Sequence, residues 1–257
     1  MTTLLIGAFV GEIGWEVVTW VPYCRFMSKR FDKTVVVCKP GHEYLYADFC
    51  TSFELFDKKG KPDRWLLNGK QVKMPAEIIA KYPDAKIKTP NEARCNAKDK
   101  RAFIKYGTKK DECAYDLVIH ARACAKYDQG HWNWPVQRYE MLLARIKPVK
   151  VCCIGTNAFY VPGTDNNMNI PLSDVCDILA SSKLCIGTSS GAMHLASLCG
   201  CSHVVFSSNK WQKSIGGTNK DRYEKIWNPL NTPVKVIDGK SWCPPVDTVV
   251  EAVKEFI

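Results

Sequence analysis

Several common motifs are missing from this sequence of 257 residues. Its thirteen cysteines never form a C-x-x-C pair, which argues against a zinc ribbon and a dithiol redox centre. Because their number is odd and the chain is not small, we interpret them as reduced thiols and expect a cytoplasmic protein. No apolar run approaches the roughly 20 residues of a membrane span, and the first residues lack the basic start of a signal peptide. The sequence therefore predicts a soluble protein.

Two cofactor signatures are also missing. No G-x-G-x-x-G motif follows the first predicted strand, which argues against a nucleotide-binding oxidoreductase. Asp165 lies in GTDNN and has no second Asp two positions away, so a divalent-metal site of the D-x-D type is not predicted. We therefore expect neither a bound metal nor a cofactor.

Positive charge, in contrast, is abundant and concentrated. The chain carries 36 Lys+Arg against 26 Asp+Glu, a formal net charge of +10. Segment 57–110 alone holds 16 basic and 6 acidic residues, so the remainder of the chain sums to zero. Such a segment is either a solvated face or an electropositive platform for a polyanion. Four aromatic residues within it would be available for stacking, namely Trp65, Tyr82, Phe103 and Tyr106.

Short β-rich runs alternate with helical patterns along the chain. Strands are predicted at 4–10, 34–38, 116–120, 149–154, 184–187, 203–206 and 234–237, and helices near 17–27, 135–146, 174–182, 191–199 and 246–253. This alternation predicts an α/β fold whose parallel sheets are covered by helices on both faces. Segment 57–110 interrupts the pattern.

The stretch IGTSSGAMHLA (186–196) joins a predicted strand to a predicted helix. Gly187 and Gly191 would let the backbone approach a ligand, and the free N–H groups at the start of the helix suit a phosphate. Three hydroxyl side chains line the turn: Thr188, Ser189 and Ser190. In the alternative interpretation Ser190 merely caps the helix and His194 is a packing residue.

Four blocks in the C-terminal half occur in an order that resembles the heptosyltransferase-like glycosyltransferases of GT-B architecture. They are LVIHARACAKYDQGHWNWPVQRYEMLL (117–143), VKVCCIG (149–155), MNIPLSDVCDILASSKLCIG (168–187) and LCIGTSSGAMHLASLCGCSHVVF (184–206). The resemblance implies two Rossmann-like domains with parallel sheets facing a central cleft, unusually small here. We place an acceptor-side domain at 1–113 and a nucleotide-sugar-binding domain at 114–257. The last helix of the second domain is free to pack back on the acceptor-side domain.

The resemblance also implies a set of donor-binding residues at the carboxyl edge of the second sheet. They are Arg122, Lys126, Gly187, Thr188, Ser189, Ser190, Gly191, Met193, His194 and Arg222. Cations and helix N-termini would neutralise the departing diphosphate without a metal. The family usually carries an Asp where Ser189 stands, and this departure leaves the type of nucleotide sugar open.

The segment GEIGWEVVTWVPYCRFM (11–27) resembles the loop that carries the family's catalytic acid. Counting back from Pro22 places Glu16 at that position, whereas counting from the Gly-acid pair places Glu12 there. The carboxylate would take the proton of an acceptor hydroxyl as it attacks the anomeric carbon. Alternatively, Glu16 is a first-turn acid favoured by the helix dipole.

These observations predict a metal-independent glycosyltransferase that uses a nucleotide sugar as co-substrate. Because the surplus of basic residues lies in the acceptor-side domain, we expect a polyanionic acceptor. We favour a modified base in duplex DNA as that acceptor, with the duplex bound by segment 57–110. Two alternatives stay open. One is transfer to a lipopolysaccharide-like phosphorylated glycan, and the other is a non-catalytic nucleic-acid-binding protein on a glycosyltransferase scaffold.

Overall fold

A computed structural model describes residues 1–57, 74–90, 101–123, 133–146, 149–156, 158–211 and 217–257. The contacts within it divide the chain into two compact units, Met1–Ile104 and Lys105–Ile257. The sequence prediction places this boundary at 113/114 instead.

Backbone hydrogen bonds explain the position of the boundary. The N–H of Tyr106 donates to the carbonyl of Leu198 over 3.0 Å, and the N–H of Thr108 donates to a carboxylate oxygen of Asp177 over 2.7 Å. Both partners lie on helices of the second unit. The end of the basic segment, 105–110, therefore belongs to the second unit, although the sequence assigns it to the first.

The first unit contains a four-stranded sheet in the order β3-β2-β1-β4, in which the paired strands run parallel. Its strands are β1 (Thr3–Ile6), β2 (Lys33–Cys38), β3 (Ser52–Leu55) and β4 (Lys86–Lys88). After β1 the chain forms a continuous helical segment that consists of α1 (Ile13–Trp15), a π-helical turn (Glu16–Trp20) and α2 (Val21–Ser28). A short helix, α3 (Ala76–Ala80), precedes β4. β1 and β2 are apolar because they form the buried centre of this sheet.

The second unit contains a six-stranded parallel sheet in the order β10-β9-β8-β5-β6-β7. Its strands are β5 (Leu117–His120), β6 (Val151–Gly155), β7 (Asp165–Met168), β8 (Leu184–Thr188), β9 (Ser202–Ser208) and β10 (Val234–Gly239). Its helices are α4 (Val136–Leu143), α5 (Leu172–Ala180), α6 (Gly191–Cys199), α7 (Asn219–Arg222), a π-helical turn (Tyr223–Trp227) and α8 (Val246–Lys254). β5 and β8 lie at the centre, so the segments that follow them meet at the middle of the carboxyl edge, where open α/β sheets bind ligands.

The closing helix packs inside the second unit. Val249, Val250 and Val253 of α8 belong to the same buried cluster as Ile119 of β5 and Ile186 of β8. The apolar residues that recur at helical spacing in α8 therefore face this sheet.

The two parallel sheets with flanking helices confirm the predicted α/β class. β1 ends at Ile6, earlier than the predicted 4–10, and β3, β4, β7, α3 and α7 are additional elements. Within the described ranges, no helix is both long and apolar enough to span a membrane.

Candidate functional site

The turn between β8 and α6 forms the centre of the candidate site. Ser190 precedes α6 in an extended conformation (φ −160°, ψ 175°), and its side chain does not cap the helix. The carbonyl of Ser190 accepts from the N–H groups of Met193 and His194, over 3.1 and 3.2 Å. Among the described residues no acceptor faces the N–H groups of Gly191 and Ala192. Two donors at the positive end of a nine-residue helix are thus available to an anion.

Two glycines make room for His120 at the end of β5. A Cβ atom on Gly187 would lie 2.7 Å from the His120 carbonyl oxygen, and one on Gly155 would lie 2.9 Å from its Cδ2 atom. His120 is buried, and its pKa is lowered to about 4 by burial and by the charge of Arg122. Its Nδ1 lies 3.3 Å from the Oγ of Ser190. The neutral imidazole of His120 therefore supports the turn from below.

Arg122 follows β5 and contacts the same turn. Its Nη1 donates to the carbonyl of Ser189 over 3.4 Å, and its backbone pairs with Ala158 in an antiparallel bridge. The N–H of Ser189 donates to the carbonyl of Phe206 over 3.0 Å. A guanidinium group and a helix N-terminus thus lie at one end of the turn, which is a suitable environment for a diphosphate.

Met193 and His194 lie beneath the turn as packing residues. Met193 is fully buried, and its Sδ lies 4.0 Å from the Sγ of Cys185. The ring of His194 packs against the rings of Tyr223 and Trp227 at centroid distances of 5.4 and 4.6 Å. The pKa of His194 is lowered to about 3, chiefly by burial. His194 is therefore neutral, so its charge cannot help to neutralise a diphosphate.

The remaining predicted donor residues differ in their surroundings. Thr188 is fully buried, and its Oγ1 has no hydrogen-bond partner among the described residues. The guanidinium of Arg222 lies 4.7 Å from the centroid of the Trp227 ring, beside the aromatic group that covers His194. Lys126 lies outside the described residues, as does Trp132. Trp134 is a core residue whose Nε1 donates to the carbonyl of Pro244 over 2.9 Å.

In the first unit, the two candidate acids have opposite environments. Glu12 precedes α1 and is exposed. Glu16 begins the π-helical turn and is fully buried. Its Oε1 accepts from the hydroxyl of Tyr46 over 2.7 Å, and its Oε2 lies 2.8 Å from Nδ1 of His42. The Nζ of Lys39 lies 3.6 Å from Oε2.

This group of residues around Glu16 assembles at the carboxyl end of β2. Lys39 follows that strand directly, His42 precedes the short 3₁₀ turn Glu43–Tyr46, and Tyr46 ends that turn. The pKa of the Tyr46 hydroxyl is raised well above its usual value by burial and by the charge of Glu16. Tyr46 therefore stays protonated and donates to the carboxylate. Interrupted helical hydrogen bonding of the π type is frequent at functional sites.

The basic segment is described in part, since 58–73 and 91–100 lie outside the described residues together with Trp65. Lys81 forms an ion pair with Glu54 over 2.8 Å, and Tyr82 donates to the same carboxylate. Tyr106 is buried. The ring of Tyr106 is therefore not available for stacking, whereas Tyr82 and Phe103 are both partly exposed.

Sequence reasoning overlooked His120 and Tyr223 in the second unit and His42 in the first. His120 is the last residue of a predicted strand and precedes Arg122, and this position could have identified it. The described part of the chain contains no group of three or more His, Cys, Asp or Glu side chains that could hold a metal ion.

Comparison with solved structures identifies the fold. The chain is similar to E. coli ADP-heptose LPS heptosyltransferase II, with a TM-score of 0.61 and 12% identity over 99% of this chain and 98% of that one. It is also similar to a family 9 glycosyltransferase from Veillonella parvula, with a TM-score of 0.56 and 13% identity over 100% of this chain and 90% of that one. The chain has a GT-B, heptosyltransferase-like fold. The chain is likewise similar to E. coli heptosyltransferase WaaC with ADP, with a TM-score of 0.55 and 12% identity over 99% of both chains.

No protein-family model matches the sequence, and no curated protein matches it. The predicted resemblance to the heptosyltransferase-like fold is thus confirmed by structure, over nearly the whole chain rather than the C-terminal half alone.

Proposed function

We propose that this protein is a glycosyltransferase that moves a sugar from a nucleotide-sugar donor to an acceptor hydroxyl. The observation that carries the proposal is the β8–α6 turn, where the N–H groups of Gly191 and Ala192 and the guanidinium of Arg122 share one edge of the sheet. The GT-B fold supports it, and two of the similar proteins are described as heptosyltransferases.

In this proposal the donor diphosphate binds at the turn. Negative charge develops on the diphosphate as its bond to the anomeric carbon breaks, and preorganised donors stabilise that charge. Arg122 and the start of α6 supply them, and the hydroxyls of Ser189 and Ser190 are close enough along the chain to bind the same ligand, whereas the hydroxyl of Thr188 is fully buried. We assign Lys126 and Arg222 as further cations near the donor.

We also propose that the reaction does not require a metal, because the cation and the helix N-terminus already supply positive charge. Transfer measured in excess EDTA is expected to equal transfer without it. Loss of transfer in EDTA, restored by adding a divalent ion, would contradict this part of the proposal.

Donor binding is tested by thermal stabilisation with a panel of nucleotide sugars and nucleoside diphosphates. A binding nucleotide raises the melting temperature of the wild type by mass action. Arg122→Ala is expected to weaken that binding about 10- to 100-fold, since hydrogen bonds to charged groups contribute about 1.5–3 kcal/mol. Arg145→Ala is the matched control, because Arg145 follows α4 and pairs with Asp247 of α8. Equal stabilisation of both variants by every nucleotide would refute the placement of the diphosphate.

For the acceptor we propose a polyanion, and specifically duplex DNA that carries a modified base. The support is the charge of segment 57–110, with 16 basic and 6 acidic residues. Binding to DNA through phosphates should weaken steeply as salt increases. We therefore expect a labelled duplex to bind at low salt and to be released when lysines of 57–110 are replaced by glutamate.

The alternatives give different results in the same assays. A phosphorylated glycan acceptor predicts transfer to such a glycan without duplex binding. A non-catalytic nucleic-acid-binding protein predicts salt-sensitive duplex binding with no turnover of any nucleotide sugar. Absence of duplex binding at low salt would end the DNA version of the proposal.

We place the protein in a reducing compartment such as the cytoplasm. The cysteines of the described ranges are free thiols, and most of them are buried in the apolar core. Burial raises the pKa of Cys152 and Cys201 to about 12, so these thiols are unreactive. Titration of thiols in the unfolded protein under non-reducing conditions is expected to count all thirteen.

A further inference from the structure

We propose that His42 is the general base of this enzyme and that buried Glu16 orients it. This inference rests on the proposed glycosyl transfer, which needs a group to accept the proton of the acceptor hydroxyl. It differs from the sequence prediction, in which a carboxylate accepts that proton directly.

Glu16 itself cannot reach a substrate. Its side chain is 0% exposed, and both of its oxygens are engaged. A general base must lie within hydrogen-bond reach of the proton that it accepts. The carboxylate can therefore act only through one of its partners.

The partner through which Glu16 can act is His42. Tyr46 is fully buried, and Lys39 has only donors and also donates to the carbonyl of Gly11 over 3.0 Å. His42 is different, because its side chain is 20% exposed and its ring has two nitrogens. His42 thus connects the buried carboxylate to the surface of the first unit.

The hydrogen bonds that Glu16 accepts fix the tautomer of His42. An ionised carboxylate only accepts hydrogen bonds, and Glu16 already accepts from Tyr46 and faces the ammonium of Lys39. The contact of 2.8 Å between Oε2 and Nδ1 is therefore a bond in which Nδ1–H donates. Nε2 of the neutral ring then carries a lone pair, and no described residue donates a hydrogen bond to it. A base oriented by a buried acid is the arrangement of an activated His.

In the proposed step the acceptor hydroxyl gives its proton to Nε2 of His42 while its oxygen attacks the anomeric carbon. The new bond joins the acceptor oxygen to that carbon, and the bond to the diphosphate breaks. The electron pair of the broken bond leaves with the nucleoside diphosphate. The positive charge that forms on the imidazole is stabilised by Glu16, the nearest anion.

The experiment compares the wild type with His42→Gln, Glu16→Gln and Glu12→Gln in the same transfer assay. Because a positioned base contributes about 10²–10⁴-fold, kcat of His42→Gln should fall by that factor. Its stabilisation by the donor nucleotide should be unchanged, because the substitution alters none of the groups that we assign to the diphosphate. Imidazole added to His42→Gly should restore part of kcat, which a merely structural role of His42 would not allow.

A readout that does not depend on activity tests the role of Glu16. In protein with 15N-labelled histidine, the signals of His42 should report Nδ1–H in the wild type. In Glu16→Gln this tautomer preference should be lost and kcat should fall, without a change in the nucleotide-induced stabilisation.

The results separate this inference from the proposed function. If the wild type transfers sugar and His42→Gln keeps its kcat, the inference is wrong and the proposed function stands. A loss confined to Glu12→Gln would likewise overturn it in favour of the exposed carboxylate. If the wild type turns over no nucleotide sugar with any acceptor, both proposals fail.

Discussion

The close approach of β5 and β8 at Gly187 leads to a sharp prediction for Gly187→Ala. The two strands pair in register, with His120 opposite Gly187. A Cβ atom at this position would lie 2.7 Å from the carbonyl oxygen of His120 and 3.2 Å from the Sδ of Met193. The sulfur ends a flexible side chain and can move, but the carbonyl belongs to a central strand. Relief of the clash therefore requires the strands to separate.

The size of the effect follows from two opposing terms. Replacing Gly by Ala restricts the unfolded chain, which stabilises a tolerant site by about 0.4–1 kcal/mol. Overpacking a buried site typically destabilises by about 1–3 kcal/mol. The second term dominates at Gly187, because the obstructing atom is part of the backbone. We expect the free energy of unfolding to fall by roughly 1 kcal/mol, the difference between the midpoints of the two ranges.

Gly239→Ala is the matched control at the end of β10. A Cβ atom there would meet only the backbone of Ser241 at 3.4 Å, an ordinary contact. We expect it to leave stability unchanged or to raise it by up to about 1 kcal/mol. Urea unfolding followed by tryptophan fluorescence measures both variants, and nucleotide-induced stabilisation tests the turn that follows Gly187. If the two variants unfold at the same urea concentration and bind nucleotide equally, the argument from close approach is refuted.

Three further predictions concern buried polar groups. Tyr46→Phe should lower the free energy of unfolding by about 1.5–3 kcal/mol, because it removes a hydrogen bond to the carboxylate of Glu16; an unchanged urea midpoint would contradict this. Thr188→Val should keep or raise stability, because the buried Oγ1 has no partner in the described part, and it should leave nucleotide binding unchanged in the thermal-shift titration. His194 and His203 have pKa values lowered to about 3 and 4, so between pH 6.5 and 4 only the unfolded chain gains their protons. Stability should fall as the pH drops through that window, and His203→Asn should reduce the slope of the urea midpoint against pH.

The β8–α6 turn of the second unit is largely predictable from the sequence because its determinants are local. The apolar run before Gly187 predicts a strand, the glycines and hydroxyls predict a turn, and the helix Gly191–Cys199 has the predicted bounds. β7 escaped prediction because its sequence, DNNM, has little β-propensity and it pairs only with β6 at the sheet edge. Tertiary pairing formed this strand where local preference disfavours it.

The environment of Glu16 was beyond sequence reasoning for a different reason. A Glu in the first turn of a helix is ordinarily exposed, and the sequence offers no sign of burial. Its partners His42 and Tyr46 lie 26 and 30 residues further along the chain and reach it only because β2 runs parallel to β1. The sequence could name the acid but not the partly exposed histidine that contacts it.

Main-chain hydrogen bonds hold Ser189 in the β8–α6 turn. The N–H of Ser189 is fixed by Phe206 of β9, and its carbonyl accepts from Arg122, so neighbouring strands hold the turn through main-chain atoms. The side chain at this position takes no part in either bond. The side chain at 189 can therefore change without loss of these two main-chain bonds, and serine places no negative charge at the turn. A turn with a guanidinium and two free N–H groups should bind a diphosphate more tightly with serine at 189 than with a carboxylate there. Ser189→Asp is therefore expected to weaken nucleotide-induced stabilisation without lowering the urea midpoint. A stronger stabilisation of Ser189→Asp by the same nucleotide would show instead that this position contacts the sugar or the nucleoside rather than the phosphates.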